Sequence, residues 1–184
     1  MSQIEKLAKV YERHVGVEWQ RTMAGAQRVM LAVYPKEKER LLRARVGEFE
    51  EATRRTGHEW ALVDATGWFA EWMAAHEYRE SYFEDPELLD LNPEGEFWEA
   101  VEGRLRVTLE AADEETVVAL LGIASLYGFL RVSELVRAVE TSIRGRLLVF
   151  FPGTKNENNY RLLDARDGWN YLAQPITLHE AWVP

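Results

Sequence analysis

The chain has 184 residues, 47% apolar and 29% charged, and its 22 basic and 31 acidic side chains leave a formal charge of −9. That length, with seven each of Trp, Tyr and Phe, is enough for one core without staples, so global disorder is excluded. The absence of Cys removes disulfide frameworks, thiolate metal sites, iron–sulfur clusters and cysteine nucleophiles, and it fits a reducing compartment. The longest apolar run, residues 117–124, is far shorter than the roughly 20 residues that span a bilayer. Residues 1–10 have no signal-peptide core, so a cytoplasmic protein without membrane contact is expected.

Ile4, Leu7, Ala8, Tyr11 and Val15 recur at helical spacing, which predicts an amphipathic helix ending near Gly16. Residues 28–34 (RVMLAVY) form a short apolar run with β-branched members, closed by Pro35, and read as a buried strand. From Glu37 the period lengthens. Leu42, Val46, Phe49 and Thr53 predict one helix of roughly five or six turns, stopped by Gly57. Residues 58–63 (HEWALV) supply a second strand, and Phe69, Trp72, Met73 and His76 a further helix.

Asp85-Pro86 and Asn92-Pro93 then punctuate a loop, the second pair with Asn as N-cap and Pro at the first helical position. Phe97, Val101, Leu105, Leu109 and Ala112 give the next helix one apolar stripe. Residues 116–122 (TVVALLG) read as another buried strand, followed by a turn at residues 126–128. Val132, Leu135, Val136, Val139 and Ile143 mark a helix with Ser133 as its cap. Residues 146–151 (RLLVFF) are the last strong strand, ended by Pro152-Gly153. Residues 160–163 and 169–172 flank Asp167-Gly168 as a hairpin.

Buried strands alternating with amphipathic helices predict a three-layer α/β fold. Parallel strands need crossovers, and each crossover helix must bury one stripe. The expectation is one domain over residues 1–184 with a mostly parallel sheet flanked by helices, Rossmann-like or degenerate P-loop-like. A C-terminal antiparallel hairpin is expected to add to one edge.

Charge is unevenly placed. Residues 20–55 carry nine basic and five acidic side chains, whereas residues 77–115 carry three basic and fourteen acidic ones. The acidic stretch repels a nucleic-acid backbone and argues against direct nucleic-acid binding; it reads as a solvated helix face or as a docking face for a basic partner.

Ligands of such a sheet bind at the carboxyl ends of its strands, so those positions are the candidates. After the first strand stands Lys36 within PKEKER, with no glycine to let amides approach a phosphate and with two glutamates opposing one, which argues against a working P-loop. No G-x-G-x-x-G is present. Asp64 ends an apolar strand, as metal-coordinating carboxylates do, but with Thr66 it reads better as a cap for the following helix. His14, His58, His76 and His179 fall on separate elements and read as packing or surface residues, and Ser125 lacks the glycines of a nucleophile elbow. In the polar loop of residues 153–159, Asn156 and Asn159 can bond a ligand, a partner or their own backbone. Tyr160 and Trp169 beside it combine strand packing with the character of interface anchors. These six are the possible ligand or partner contacts; no catalytic residue, metal or cofactor is expected.

Residues 145–153 (GRLLVFFPG) and 158–173 (NNYRLLDARDGWNYLA) resemble the carboxyl-terminal signature of the BrxB family, the B component of bacteriophage-exclusion (BREX) systems. Further matches lie in residues 24–34 (AGAQRVMLAVY), 58–64 and 72–83 (WMAAHEYRESYF), so the resemblance spans nearly the whole chain. It implies a small cytoplasmic component of an antiphage island. Such islands encode it beside a PglZ-like protein of the alkaline-phosphatase superfamily, a large ATPase and an adenine-specific DNA methyltransferase. The family offers no catalytic motif to carry onto these positions. Three functions follow as expectations. The first is a noncatalytic assembly subunit that binds the PglZ-like protein. The second is a degenerate nucleotide sensor with a pocket around Lys36, Asp64 and Asn156. The third is a nucleic-acid adaptor using residues 20–55.

Overall fold

The structure, a computed structural model, describes residues 1–89, 95–165 and 168–178. Helix α1 (Gln3–Val15) starts in a capping box between Ser2 and Glu5 and buries the five residues that its period marks. Strand β1 (Val29–Tyr34) is buried throughout. The single long helix expected next is divided into a 3-10 turn (Lys36–Lys38), α2 (Glu39–Ala44) and α3 (Val46–Arg55). Arg45 interrupts it at ψ 11°, and its guanidinium meets Glu5 of α1 and Glu48 at 2.5 Å each, which links two helices across the break. Leu42, Val46, Phe49 and Thr53 still all reach the core. Gly57, at φ +88°, makes the left-handed stop that a Cβ would resist.

Strand β2 (Glu59–Asp64) leads to α4 (Trp68–Ala75), α5 (Arg79–Glu84) and a 3-10 turn (Pro86–Leu88) that the punctuation had marked only as loop. Helix α6 (Glu96–Ala111) buries Phe97, Val101, Leu105 and Leu109, with Gly95 as its N-cap. Asn92 and Pro93, expected to open this helix, lie outside the described residues. Strand β3 (Thr116–Leu121) is wholly buried. Helix α7 (Val132–Val139) begins after Arg131, so Ser133 lies inside its first turn and caps nothing.

Strand β4 (Arg146–Asn156) runs through Pro152-Gly153 where a stop was expected. Val149 is its last residue paired with β3, so Pro152, which has no N–H, is asked for no bond on that side. Its far end pairs antiparallel with β5 (Asn159–Leu162), which pairs antiparallel with β6 (Trp169–Asn170). The polar loop of residues 153–159 is therefore mostly strand. Asp167, in the expected turn, and His179 lie outside the described residues.

The main sheet runs β2-β3-β4-β1-β7, with β7 (Gln174–Ile176) at the edge and every neighbouring pair parallel. The antiparallel strands thus extend β4 from within the sheet, and the edge beside β1 holds a parallel strand. Composition accounts for which strands are central: VMLAVY, TVVALL and RLLVFF are covered on both faces, whereas EWALVD is half exposed at the other edge. Met30, Ala32, Leu148 and Phe150 face α1 to α3. Leu31, Val33, Val149 and Phe151 face α6 and α7, which completes three layers. Among the described residues no helix is long and apolar enough to cross a membrane.

Candidate functional site

The chain leaves β1 past β4 and β3 to reach β2, but leaves β4 past β1 to reach β7, so the connections diverge between the adjacent strands β1 and β4. Open α/β sheets take ligands in the crevice at such a point, outside the carboxyl ends of the strands. Here Lys36, just after β1, forms an ion pair with Asp164, in the turn after β5. The pair spans the divergence point with charges from both of its sides.

A second network closes the ends of β1, β2 and β3. The Tyr34 hydroxyl donates to Glu39, Arg43 donates to Glu39 at 2.9 Å and to Asp64 at 3.2 Å, and Arg43 also donates to the Thr66 hydroxyl at 2.7 Å. Asp64 accepts from the Thr66 amide at 3.0 Å and from its hydroxyl, which closes an Asx turn. Helix α4 starts later, after Gly67, without a side-chain cap, so Asp64 and Thr66 close a turn instead of capping. Burial pushes the Asp64 carboxyl up, but the Thr66 bonds and the Arg43 guanidinium outweigh it and hold it below the ordinary carboxylate value of 3.8. Burial, reinforced by Glu39, raises the Tyr34 phenol and keeps it protonated. Gly122 completes the turn at φ +81°, where a Cβ would stand 2.7 Å from Asp64 Oδ1 and 2.8 Å from the Thr66 amide nitrogen.

The other candidates fall elsewhere. Asn156 and Asn159 face each other at the closed end of the β4–β5 hairpin, with Glu157 at φ 52° between them. Tyr160 is buried, with ring centroids 5.9 Å from Phe151 and 6.1 Å from Trp169. Lys36, Asp64 and Asn156 thus hold separate partners and do not form the single pocket expected of a nucleotide sensor. The basic segment is likewise engaged internally. Arg54 pairs with Glu50 and Glu59, Arg55 pairs with Glu12, and Arg28 donates to four backbone carbonyls.

Sequence reasoning missed a cleft of about 920 Å³ on the α7 side of the sheet. Trp98, Tyr127, Phe129, Phe151, Tyr160 and Trp169 supply its aromatic walls; its polar lining includes Arg131 and Ser133 at the start of α7 and two carboxylates, Glu134, 4.0 Å from Arg131, and Asp164. Phe129 is seated by stacking on Phe69 of α4 at 3.9 Å, so the loop before α7 is packed in place. Two of its wall residues, Tyr160 and Trp169, are candidates from the sequence, but nothing in the sequence joins them to the aromatic residues of 127–130 (YGFL), since the walls come from four distant segments. A second missed feature is an internal cation site. Arg146 is buried with its guanidinium 4.4 Å from the Trp19 ring centroid, and Trp19 stacks on His58 at 3.7 Å. Among the described residues no group of three or more His, Asp or Glu side chains is placed to hold a metal ion. Comparison with family models, curated proteins and solved structures found no match to this chain.

Proposed function

We propose that this chain is a noncatalytic assembly subunit of a BREX antiphage system that binds a PglZ-like protein of the alkaline-phosphatase superfamily in the cytoplasm. The BrxB resemblance supplies the system and the partner. The observation that carries the reading is the engagement of charged side chains at the carboxyl edge with one another: Lys36 with Asp164, and Asp64 with Arg43 and Thr66. Groups so occupied, the first pair at the sheet's divergence point and the second at the end of the edge strand β2, fit a face that holds its own shape better than one that awaits a reactant. Deleting the gene from an active island tests this, with complementation by the intact chain as control. Loss of phage protection is expected, and unchanged plaque counts would reject the assembly role.

The aromatic cleft favours a second reading, a nucleotide-sensing domain on a degenerate P-loop-like or Rossmann-like sheet, with a base against its aromatic walls and Arg131 near the phosphates. A panel of nucleotides separates the two readings. A saturable rise in the thermal midpoint that Tyr127→Ala abolishes would favour the sensor, and a flat response would leave the assembly subunit.

A further inference from the structure

We propose that residues 77–89 form a preorganised docking strap for a protein surface that combines an apolar groove with a rim of Lys and Arg. The inference rests on the assembly reading and names the surface through which it would work.

Neither α5 nor the turn after it contains a buried residue. A helix of six residues does not hold itself together in water, so tethers must fix the strap. The Tyr78 amide donates to His76 Nδ1 at 3.1 Å, and Arg79 donates to the Ala74 carbonyl at 2.7 Å, which joins the strap to the end of α4. The His76 ring packs against Tyr82 at 4.9 Å, and Asp85 accepts from the Glu87 amide at 3.3 Å to shape the following turn. The Tyr78 ring also meets His76 at 5.9 Å, while Phe83 and Leu88 stay exposed, so the strap is ordered with its outer face open and a partner would not have to fold it.

Those outer side chains are apolar and acidic together. Tyr78 is 58% exposed, Phe83 65% and Leu88 58%, three large apolar groups within one short segment. Around them stand Glu77, Glu80, Glu84, Asp85 and Glu87 against the single cation Arg79. Among the described residues the only ion pair reaching these carboxylates is Arg79 with Glu80, at 3.3 Å. Elsewhere in the acidic stretch, Arg104 is paired with Glu71 of α4, and Glu102 is paired with Arg106. Exposed apolar anchors ringed by five carboxylates and one cation call for a partner that buries the anchors and supplies positive charge at the margin. The same charge disfavours a second strap from another copy.

Calorimetric titration with the purified PglZ-like protein tests this, using the full-length chain and two variants. In Phe83→Asp/Leu88→Asp two of the three anchors are lost; in Glu80→Lys/Glu84→Lys/Glu87→Lys only the charge is reversed. Both are expected to weaken binding by about 10-fold or more at low salt, with the charge-reversal deficit shrinking as salt rises. Unchanged thermal midpoints show that the fold persists; if the aspartate variant unfolds, the charge-reversal variant decides. Wild-type affinity in both variants would overturn the strap and leave the assembly reading standing. No binding by the wild-type chain would overturn both. Sedimentation showing a wild-type dimer that either variant dissociates would assign the strap to self-association and overturn the basic partner.

Discussion

Gly122 and Gly103 lack a side chain in opposite circumstances. Gly122 sits at φ +81° against Asp64 and Thr66, so Gly122→Ala combines a disfavoured backbone with a clash; in Gly103, inside α6, a Cβ would meet nothing within 4 Å. Denaturant unfolding is expected to show Gly122→Ala destabilised by about 1–3 kcal/mol, and Gly103→Ala stabilised by about 0.5–1 kcal/mol. Asp64 gives a pH signature. Its folded-state pKa lies below the ordinary 3.8, so the ionised carboxylate stabilises the fold above that value, and this contribution fades as pH falls through the depressed folded value. The stability gap between wild type and Asp64→Asn, measured by urea unfolding, should be present at pH 7 and close below about pH 4; a gap that stays constant to pH 2 would contradict the Arg43 and Thr66 assignments. Asp64 could be picked out from its place at a strand end. Its role could not, because Arg43 and Gly122 are remote in sequence and meet it only through the sheet.

At the scale of elements, β1 and β3 were legible because central strands of a parallel sheet are continuously apolar, and α1 because one face of a surface helix must be buried. The misread elements depend on tertiary partners. The break at Arg45 is tied to Glu5 on another helix, and β4 passes Pro152 only because β3 has already ended and β5 comes to pair beyond it. Helix α5 has no apolar stripe to announce it, since it buries none of its residues. Arg28 shows the same dependence in a stabilising role. Its guanidinium donates to the carbonyls of Met23, Arg21, Ile143 and Arg144 at 2.8–3.1 Å, fastening the segment before β1 to the segment before β4. Lys has no planar fork with which to make these bonds, so Arg28→Lys is expected to cost about 1–3 kcal/mol in chemical denaturation. A loss equal to that of an exposed Arg13→Lys control would show that the clamp carries nothing.

For the whole molecule, the alternation of strands and helices indicated the layers, but periodicity does not encode strand order. The pairing of Lys36 with Asp164 therefore could not be anticipated, nor could the cleft, whose walls come together only when the sheet closes. The charge asymmetry was legible as a count and changes meaning once placed. The basic segment of residues 20–55 is largely spent on internal pairs and backbone carbonyls, whereas among the described residues the strap's five carboxylates meet one ion pair, Arg79 with Glu80. A molecule so arranged should recognise a protein through the strap and gain little from nucleic acid. The most direct test is co-expression with the PglZ-like protein, followed by size-exclusion chromatography with light scattering. One peak of defined stoichiometry containing both chains at micromolar concentration is the outcome this account requires. Two separate peaks at the masses of the individual proteins would contradict it.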